Sequence, residues 1–186
     1  MFNDKKKYAD RENDDNEFDI GVIHGLEWVG DSDREKIFGT SWFDNLLGGS
    51  GDDELYGLEG DDIIYGNEGA DRAFGGAGND VIFLGNGGSG SGNSDGGRNG
   101  DFGSGGSGND KVYGTDNRDA LFGGVGHDYL KGDGGNDHLD GGAGDDHLEA
   151  GPGSDKVIGG AGDDLIKAGG GKDDVEAGDG DDVVEA

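Results

Sequence analysis

The chain has 186 residues, of which 46 are glycine and 43 are aspartate or glutamate against 14 lysine or arginine, for a formal charge of −29. Only 30% is hydrophobic, against an apolar share of roughly 45–50% (glycine included) in ordinary globular domains, so a conventional packed core is excluded. Such a composition means disorder unless something external neutralises the acids, and it excludes nucleic-acid binding through net charge and attachment to acidic membrane surfaces; what it invites is cations.

In chain order, residues 1–17 are charged and read as disordered. Their basic cluster is not followed by an apolar h-region, so they do not read as a secretory signal peptide. No apolar run approaches the roughly 18–20 residues of a membrane-spanning helix. Residues 18–38 hold the most apolar stretch, FDIGVIHGLEWVG, and a degenerate repeat, Gly30–Phe38, that keeps Glu35 and Ile37. With Trp42 and Phe43, the stretch is expected to cap the first coil of a repeat array.

Residues 39–83 form a first block of nine-residue units and 96–186 a second. Four close units run from Gly48 to Phe83 and nine from Gly105 to Glu185, beginning GGSGDDELY and GGSGNDKVY. Position 6 is Asp in all thirteen: Asp53, Asp62, Asp71, Asp80, Asp110, Asp119, Asp128, Asp137, Asp146, Asp155, Asp164, Asp173 and Asp182. Position 8 is aliphatic throughout, with only Ala73 small. Gly39–Leu47 and Gly96–Ser104 are weaker units that keep Asp44 and Asp101. Between the blocks, residues 84–95 (LGNGGSGSGNSD) shift the register by three residues and read as a Gly/Ser-rich linker or loop.

Nine residues are too few for a helix and its turn. Three extended residues cover about 10 Å, and alternate side chains face opposite ways, so position 8 points in while 7 and 9 point out. Glycines at positions 1, 2 and 4 permit the tight turn. The expected fold is all-β: a parallel β-roll, a β-solenoid with two strands and two turns per coil of 18 residues. Position-6 carboxylates then stand in two columns at a layer spacing of about 4.8 Å and repel one another. Ions between the loops answer that repulsion. With no Cys in the chain, the donors are carboxylates and Gly-loop carbonyls, hard oxygens in a flexible cage that suits Ca²⁺ better than Mg²⁺.

The pattern GGxGxDxUx, repeated in phase, resembles the RTX, or haemolysin-type calcium-binding, nonapeptide repeat family. That resemblance implies a right-handed β-roll holding several Ca²⁺ ions, each between loops two units apart. One loop would offer carbonyls at positions 2 and 4 and its Asp; the next loop on that side would offer carbonyls 1 and 3 and its own Asp. Gly106, Gly108 and Asp110 would thus face Gly123, Val125 and Asp128. Gly124, Gly126 and Asp128 would face Gly141, Ala143 and Asp146; Gly142 and Gly144 would face Gly159 and Ala161. Asp53 would pair with Asp71, Asp62 with Asp80, Asp119 with Asp137, Asp137 with Asp155 and Asp155 with Asp173. Asn67 and Glu68 depart from the pattern, as do Asp116, Asn117 and Arg118, the last expected to weaken its site.

The resemblance also implies secretion from a Gram-negative bacterium by type I export, with folding outside the cell, and an effector domain in a longer parent chain. An uncovered last coil would be open to end-to-end self-association. No catalytic residues are assigned: no GxSxG, HExxH or P-loop occurs, and pairs such as Asp52/Asp53 and Asp145/Asp146 read as loop acid and ion ligand. His138 and His147 sit at position 7 of successive units, which places them on opposite sheets as solvated residues and not as a zinc pair. Tyr56, Tyr65, Phe74, Phe83, Tyr113 and Phe122 recur at position 9 as an outer stripe. The chain therefore reads as a non-enzymatic Ca²⁺-binding module. The alternatives are the accessory repeat region of an exported hydrolase or epimerase, and an adhesin-type solenoid binding sugar or partner surfaces.

Overall fold

The computed structural model describes residues 27–30, 32, 34–87 and 100–185. The disorder expected over 1–17 and most of the apolar cap over 18–38 lie outside these residues.

Among them every element is a strand, and every strand pair is parallel. The strands alternate between two sheets. One sheet runs through Glu27–Val29, Asn45–Ser50, Ile63–Gly69, Val81–Phe83, Lys111–Tyr113, Tyr129–Lys131, His147–Gly153, Leu165–Gly171 and Val183–Glu185, with the short strand Asn86–Gly87 paired to Ile63–Gly69. The other runs through Lys36–Phe38, Glu54–Glu59, Arg72–Ala77, Phe102–Ser107, Ala120–Val125, His138–Ala143, Lys156–Ala161 and Asp174–Asp179. The fold is the expected β-solenoid, and each sheet grows by one strand per 18-residue coil, as in the pairing of Val112 with Leu130 and of Leu130 with Leu148.

The nine-residue period makes this arrangement self-consistent. Position 8 turns inward through the covered coils, while Val175 is only half-buried and Val184, in the last strand, is exposed. Ile37, Leu55, Ala73, Leu121, Leu139 and Val157 from one sheet meet Leu46, Ile64, Ile82, Val112, Leu130, Leu148 and Ile166 from the other, and all are buried. The core is one side chain thick on each sheet. Layers are stitched by backbone hydrogen bonds: the Tyr129 amide donates to the Asp110 carbonyl at 2.9 Å, and the Gly126 amide donates to the Ala143 carbonyl at 2.8 Å.

The turn depends on position 2. Gly142 sits there at φ 105, and a Cβ on it would run into the Gly124 carbonyl oxygen one coil earlier. Only three non-glycine residues among those described take a positive φ, and all stand at position 2: Leu58, Asn67 and Asp133. Asn and Asp tolerate this conformation better than other side chains. Asn67 thus departs from the sequence pattern while keeping its backbone geometry.

The two blocks form one continuous solenoid. Arg72 pairs with Phe102, and Val81 with Lys111, a step of 30 residues that takes the place of the usual 18. The reason is a split unit. Asn86 and Gly87 pair with Glu68 and Gly69, which are positions 3 and 4 of their own unit. Asp101 returns at position 6, where its carboxylate accepts the Asp71 amide. Residues 84–87 and 100–104 therefore assemble one nonapeptide, LGNG–GDFGS, with 88–99 inserted between positions 4 and 5. The boundaries thus differ from the linker expected at 84–95 and the weak unit expected at Gly96–Ser104. Both move because stacking on Glu68 and Gly69 fixes which residues occupy positions 3 and 4.

Position-9 aromatics stack along the solenoid. Phe38, Tyr56 and Phe74 form one ladder, with centroids 4.9 and 4.8 Å apart and planes within 14° and 6°. Tyr65, Phe83 and Tyr113 form another, at 5.1 and 4.9 Å. Lys36 and Arg72 lie over rings of the first. The ring faces are taken by neighbouring layers, so these aromatics contribute cross-strand stacking of about 0.5–1.5 kcal/mol per pair.

Candidate metal centre

Each position-6 Asp stands where the loop enters its strand, and its backbone and side chain act in different layers. The Asp110 amide donates to Oδ1 of Asp128 at 2.8 Å, and the Asp128 amide to Oδ1 of Asp146 at 2.8 Å. The same bond joins Asp44 to Asp62, Asp62 to Asp80, Asp80 to Asp110, Asp146 to Asp164 and Asp164 to Asp182. A second column joins Asp53 to Asp71, Asp71 to Asp101, Asp101 to Asp119, Asp119 to Asp137, Asp137 to Asp155 and Asp155 to Asp173. It begins at the Glu35 amide, which donates to Asp53. The two residues of each expected Asp–Asp pair thus stand in successive layers of one column, joined by an amide–carboxylate hydrogen bond. Asp173 and Asp182, in the last coils, are more exposed, while the others are buried.

One oxygen is thus spoken for and the other is not. Oδ2 of Asp53, Asp62, Asp71, Asp80, Asp101, Asp110, Asp128, Asp137, Asp146, Asp155 and Asp164 is buried without a hydrogen-bond partner. Native interiors rarely leave polar atoms so, and an unpaired buried carboxylate is costly. Eleven repetitions of one orphaned atom amount to a pattern of the fold.

The position-1 glycine shows what lies beside that oxygen. A Cβ on Gly141 would fall 2.5 Å from Asp146 Oδ2 and 2.6 Å from the Gly159 carbonyl oxygen; one on Gly48 would fall 2.6 Å from Asp53 Oδ2 and 2.7 Å from the Gly66 carbonyl oxygen. The orphaned carboxylate oxygen and a carbonyl of the next coil therefore border the same small space. Of the carbonyls anticipated as donors, those of Gly123, Gly141 and Gly159 belong to position-1 residues that line this space. Those of Val125, Ala143 and Ala161 already accept the Gly108, Gly126 and Gly144 amides, which leaves each one further lone pair. Gly106, Gly108, Gly124, Gly126, Gly142 and Gly144 all take positive φ in these loops.

Burial also makes these carboxylates reluctant to ionise. Desolvation pushes Asp62, Asp71, Asp110, Asp137 and Asp146 up to about 7, Asp80 to about 6 and Asp101 to about 8. The amide donated by the preceding coil pulls each back down, and neighbouring carboxylates push up again, as Asp80 and Asp44 do for Asp62. Asp53, Asp119, Asp128, Asp155 and Asp164 are raised as well, chiefly by burial. A cation beside Oδ2 would reverse that balance.

The donor set decides the class of cation. Among the described residues no three carboxylate, imidazole or thiol side chains converge. His138 lies in one sheet and His147 in the other, where His147 sits 3.1 Å from Glu149. What the loops provide is one carboxylate oxygen per layer and backbone carbonyls, a hard and adaptable cage of the kind Ca²⁺ takes. The residues present fit that ion.

Two position-6 residues missing from the sequence-derived ligand set also join the columns. Asp101 carries an orphaned Oδ2 like its neighbours. The weak unit Gly96–Ser104 already carried Asp101 at position 6, with Gly103 in place of the aliphatic at position 8. Asp44 heads the other column but differs, as does Asp119: their Oδ2 atoms accept the amides and hydroxyls of Thr40 and Thr115.

Compared with known families, residues 29–64, 38–73, 56–90, 95–130, 122–157 and 149–184 match the RTX calcium-binding nonapeptide repeat, in overlapping sets of four copies. No individual relative matched among curated proteins. The matches span most of the chain and coincide with the coils that carry the carboxylate columns, so the chain belongs to the RTX calcium-binding nonapeptide repeat family.

Proposed function

We propose that this chain is a Ca²⁺-triggered folding module of an extracellular bacterial protein, with ions held between successive loops of each column. The observation that carries this reading is the set of eleven buried Asp Oδ2 atoms with no partner. Bound Ca²⁺ would supply the positive charge that these oxygens and the adjoining carbonyls lack.

The chain's own hydrogen bonds explain why such folding would be cooperative. Asp128 Oδ1 is held by the amide of Asp110, so the Asp128 carboxylate is oriented only when the preceding coil is in place. Each ordered loop thus prepares the next, which gives the all-or-none character expected of stacked repeats. With affinity in the range of extracellular modules, about 10⁻⁴–10⁻³ M, the chain would stay unfolded at cytosolic Ca²⁺ and fold outside the cell. That behaviour suits type I export and attachment to an effector domain in a longer parent chain.

The test is far-UV circular dichroism during a Ca²⁺ titration from a chelator to about 10 mM, with Mg²⁺ as control. A cooperative coil-to-β transition with Ca²⁺ alone is expected. A β-rich spectrum already present in chelator, or coil at every concentration, overturns the trigger.

A further inference from the structure

Two loops close by a different chemistry. In Gly39–Leu47, the Thr40 amide and hydroxyl donate to Asp44 Oδ2 at 2.5 and 3.0 Å, and the Trp42 amide donates to the Thr40 hydroxyl at 3.2 Å. In Gly114–Phe122, the Thr115 amide and hydroxyl donate to Asp119 Oδ2 at 2.6 and 2.9 Å, and the Asn117 amide donates to the Thr115 hydroxyl at 3.1 Å. The other Asp119 oxygen accepts the Asp101 amide at 2.8 Å. Both oxygens of this carboxylate are therefore satisfied by the protein, and both are absent from the set of orphaned atoms.

The backbone departs in the same two places. In the loop that starts at Gly123, positions 2 and 4 are Gly124 and Gly126 at φ 120 and 138. Neither Thr40 and Trp42 nor Thr115 and Asn117 takes a positive φ. The turn therefore runs through a different backbone conformation, although the Thr115 and Thr40 carbonyls still accept the position-3 amides of the next coil, Gly134 and Glu59, at 3.0 and 3.4 Å. The turn and the carboxylate change together, and the threonine takes the carboxylate oxygen that the glycine loops leave without a partner.

We propose that Gly39–Leu47 and Gly114–Phe122 are ion-free closures, in which the threonine amide and hydroxyl take the place that Ca²⁺ fills in the glycine loops. The inference rests on the reading of the other loops as Ca²⁺ sites. One closure stands at the head of a column and the other in the middle of the second. The chain thus carries two joints formed by protein alone, and GTxxxD marks them in the sequence where GGxGxD marks an ion loop.

The test counts ions bound per full chain at saturating Ca²⁺, by equilibrium dialysis with metal analysis, while circular dichroism reports folding. Asp128→Asn should lose at least one ion relative to the unmodified chain. Asp119→Asn and Thr115→Val should lose none. The double variant Thr115→Gly/Asn117→Gly, which restores the glycine loop, should gain one. Loss of an ion in Asp119→Asn or Thr115→Val overturns the closure. If those variants fail to fold, an unchanged count in the double-glycine variant overturns it instead. An unmodified chain that binds no Ca²⁺ sinks the broader reading, a result distinct from either.

Discussion

Leu84 fills the space left by Gly103: its Cδ1 lies 3.4 Å from where a Cβ on Gly103 would stand. Gly103 is the one position 8 within the core coils that has no side chain, and the missing volume sits between Val112, Leu84 and Leu121. Leu84 occupies position 1 of the same split unit, where glycine or alanine is usual, and is fully buried. A large residue at the wrong position thus repairs the absence of one at the right position.

That pair should be energetically coupled. Leu84→Ala is expected to cost about 2–5 kcal/mol in the Ca²⁺-loaded chain, as for other buried Leu truncations. Gly103→Ala is expected to cost less in the Leu84→Ala background than alone, where its Cβ meets Val112 Cγ1 at 2.6 Å. A double-mutant cycle by urea denaturation should give a coupling of roughly 0.5–3 kcal/mol. Strict additivity would refute the repair.

Deleting residues 88–99 should leave the solenoid intact. Gly87 would then join Gly100, and the unit would read LGNGGDFGS in unbroken register. The expected result is an unchanged β signal and Ca²⁺ midpoint in the circular dichroism titration. A deletion that abolishes folding would show that the unit is not assembled from 84–87 and 100–104.

Two glycines provide a matched contrast. Gly142→Ala puts a side chain at φ 105 and into the Gly124 carbonyl, and should cost about 1–3 kcal/mol or more. A Cβ on Gly170 meets nothing within 4 Å, and its φ is not positive. Gly170→Ala should be neutral or stabilise by about 0.4–1 kcal/mol, because it restricts the unfolded chain. Thermal melts in Ca²⁺ would rank the two; equal effects would mean the turn does not depend on position 2.

Acid should partly substitute for the ion. Asp62, Asp71, Asp110, Asp137 and Asp146 move from 3.8 in the unfolded chain up to about 7 in the fold. Between those values the folded chain binds more protons, so stability without Ca²⁺ is greatest below about pH 4 and falls as pH rises through about 7. In Ca²⁺-free buffer, the β signal should be stronger at pH 5 than at pH 8. With Ca²⁺ the order should reverse, because the ion needs the ionised carboxylates and displaces their protons. A Ca²⁺-free spectrum that does not change with pH would contradict this linkage.

Most of the architecture was legible because it is set by a local constraint. A nine-residue period with an aliphatic at position 8 permits only short strands with one face buried, and glycines at 2 and 4 permit only one kind of turn. Parallel stacking and two columns of Asp result, and hard oxygen donors with no Cys point to Ca²⁺. What the chain could not declare by itself depends on neighbours 18 or 30 residues away. Which oxygen of Asp128 is held and which is orphaned is decided by the Asp110 amide one coil earlier. Asp101 enters its column only because Asn86 and Gly87 stack on Glu68 and Gly69, which places the insertion inside a unit. Asp119 holds position 6 like the others, and its loop GTDNRD does not by itself say what occupies the carboxylate. That is decided once the loop has folded without positive φ and brought the Thr115 hydroxyl to 2.9 Å from the Asp119 carboxylate. Period and residue type fix the coil; contacts between coils, which no nine-residue window contains, decide what each carboxylate is free to bind.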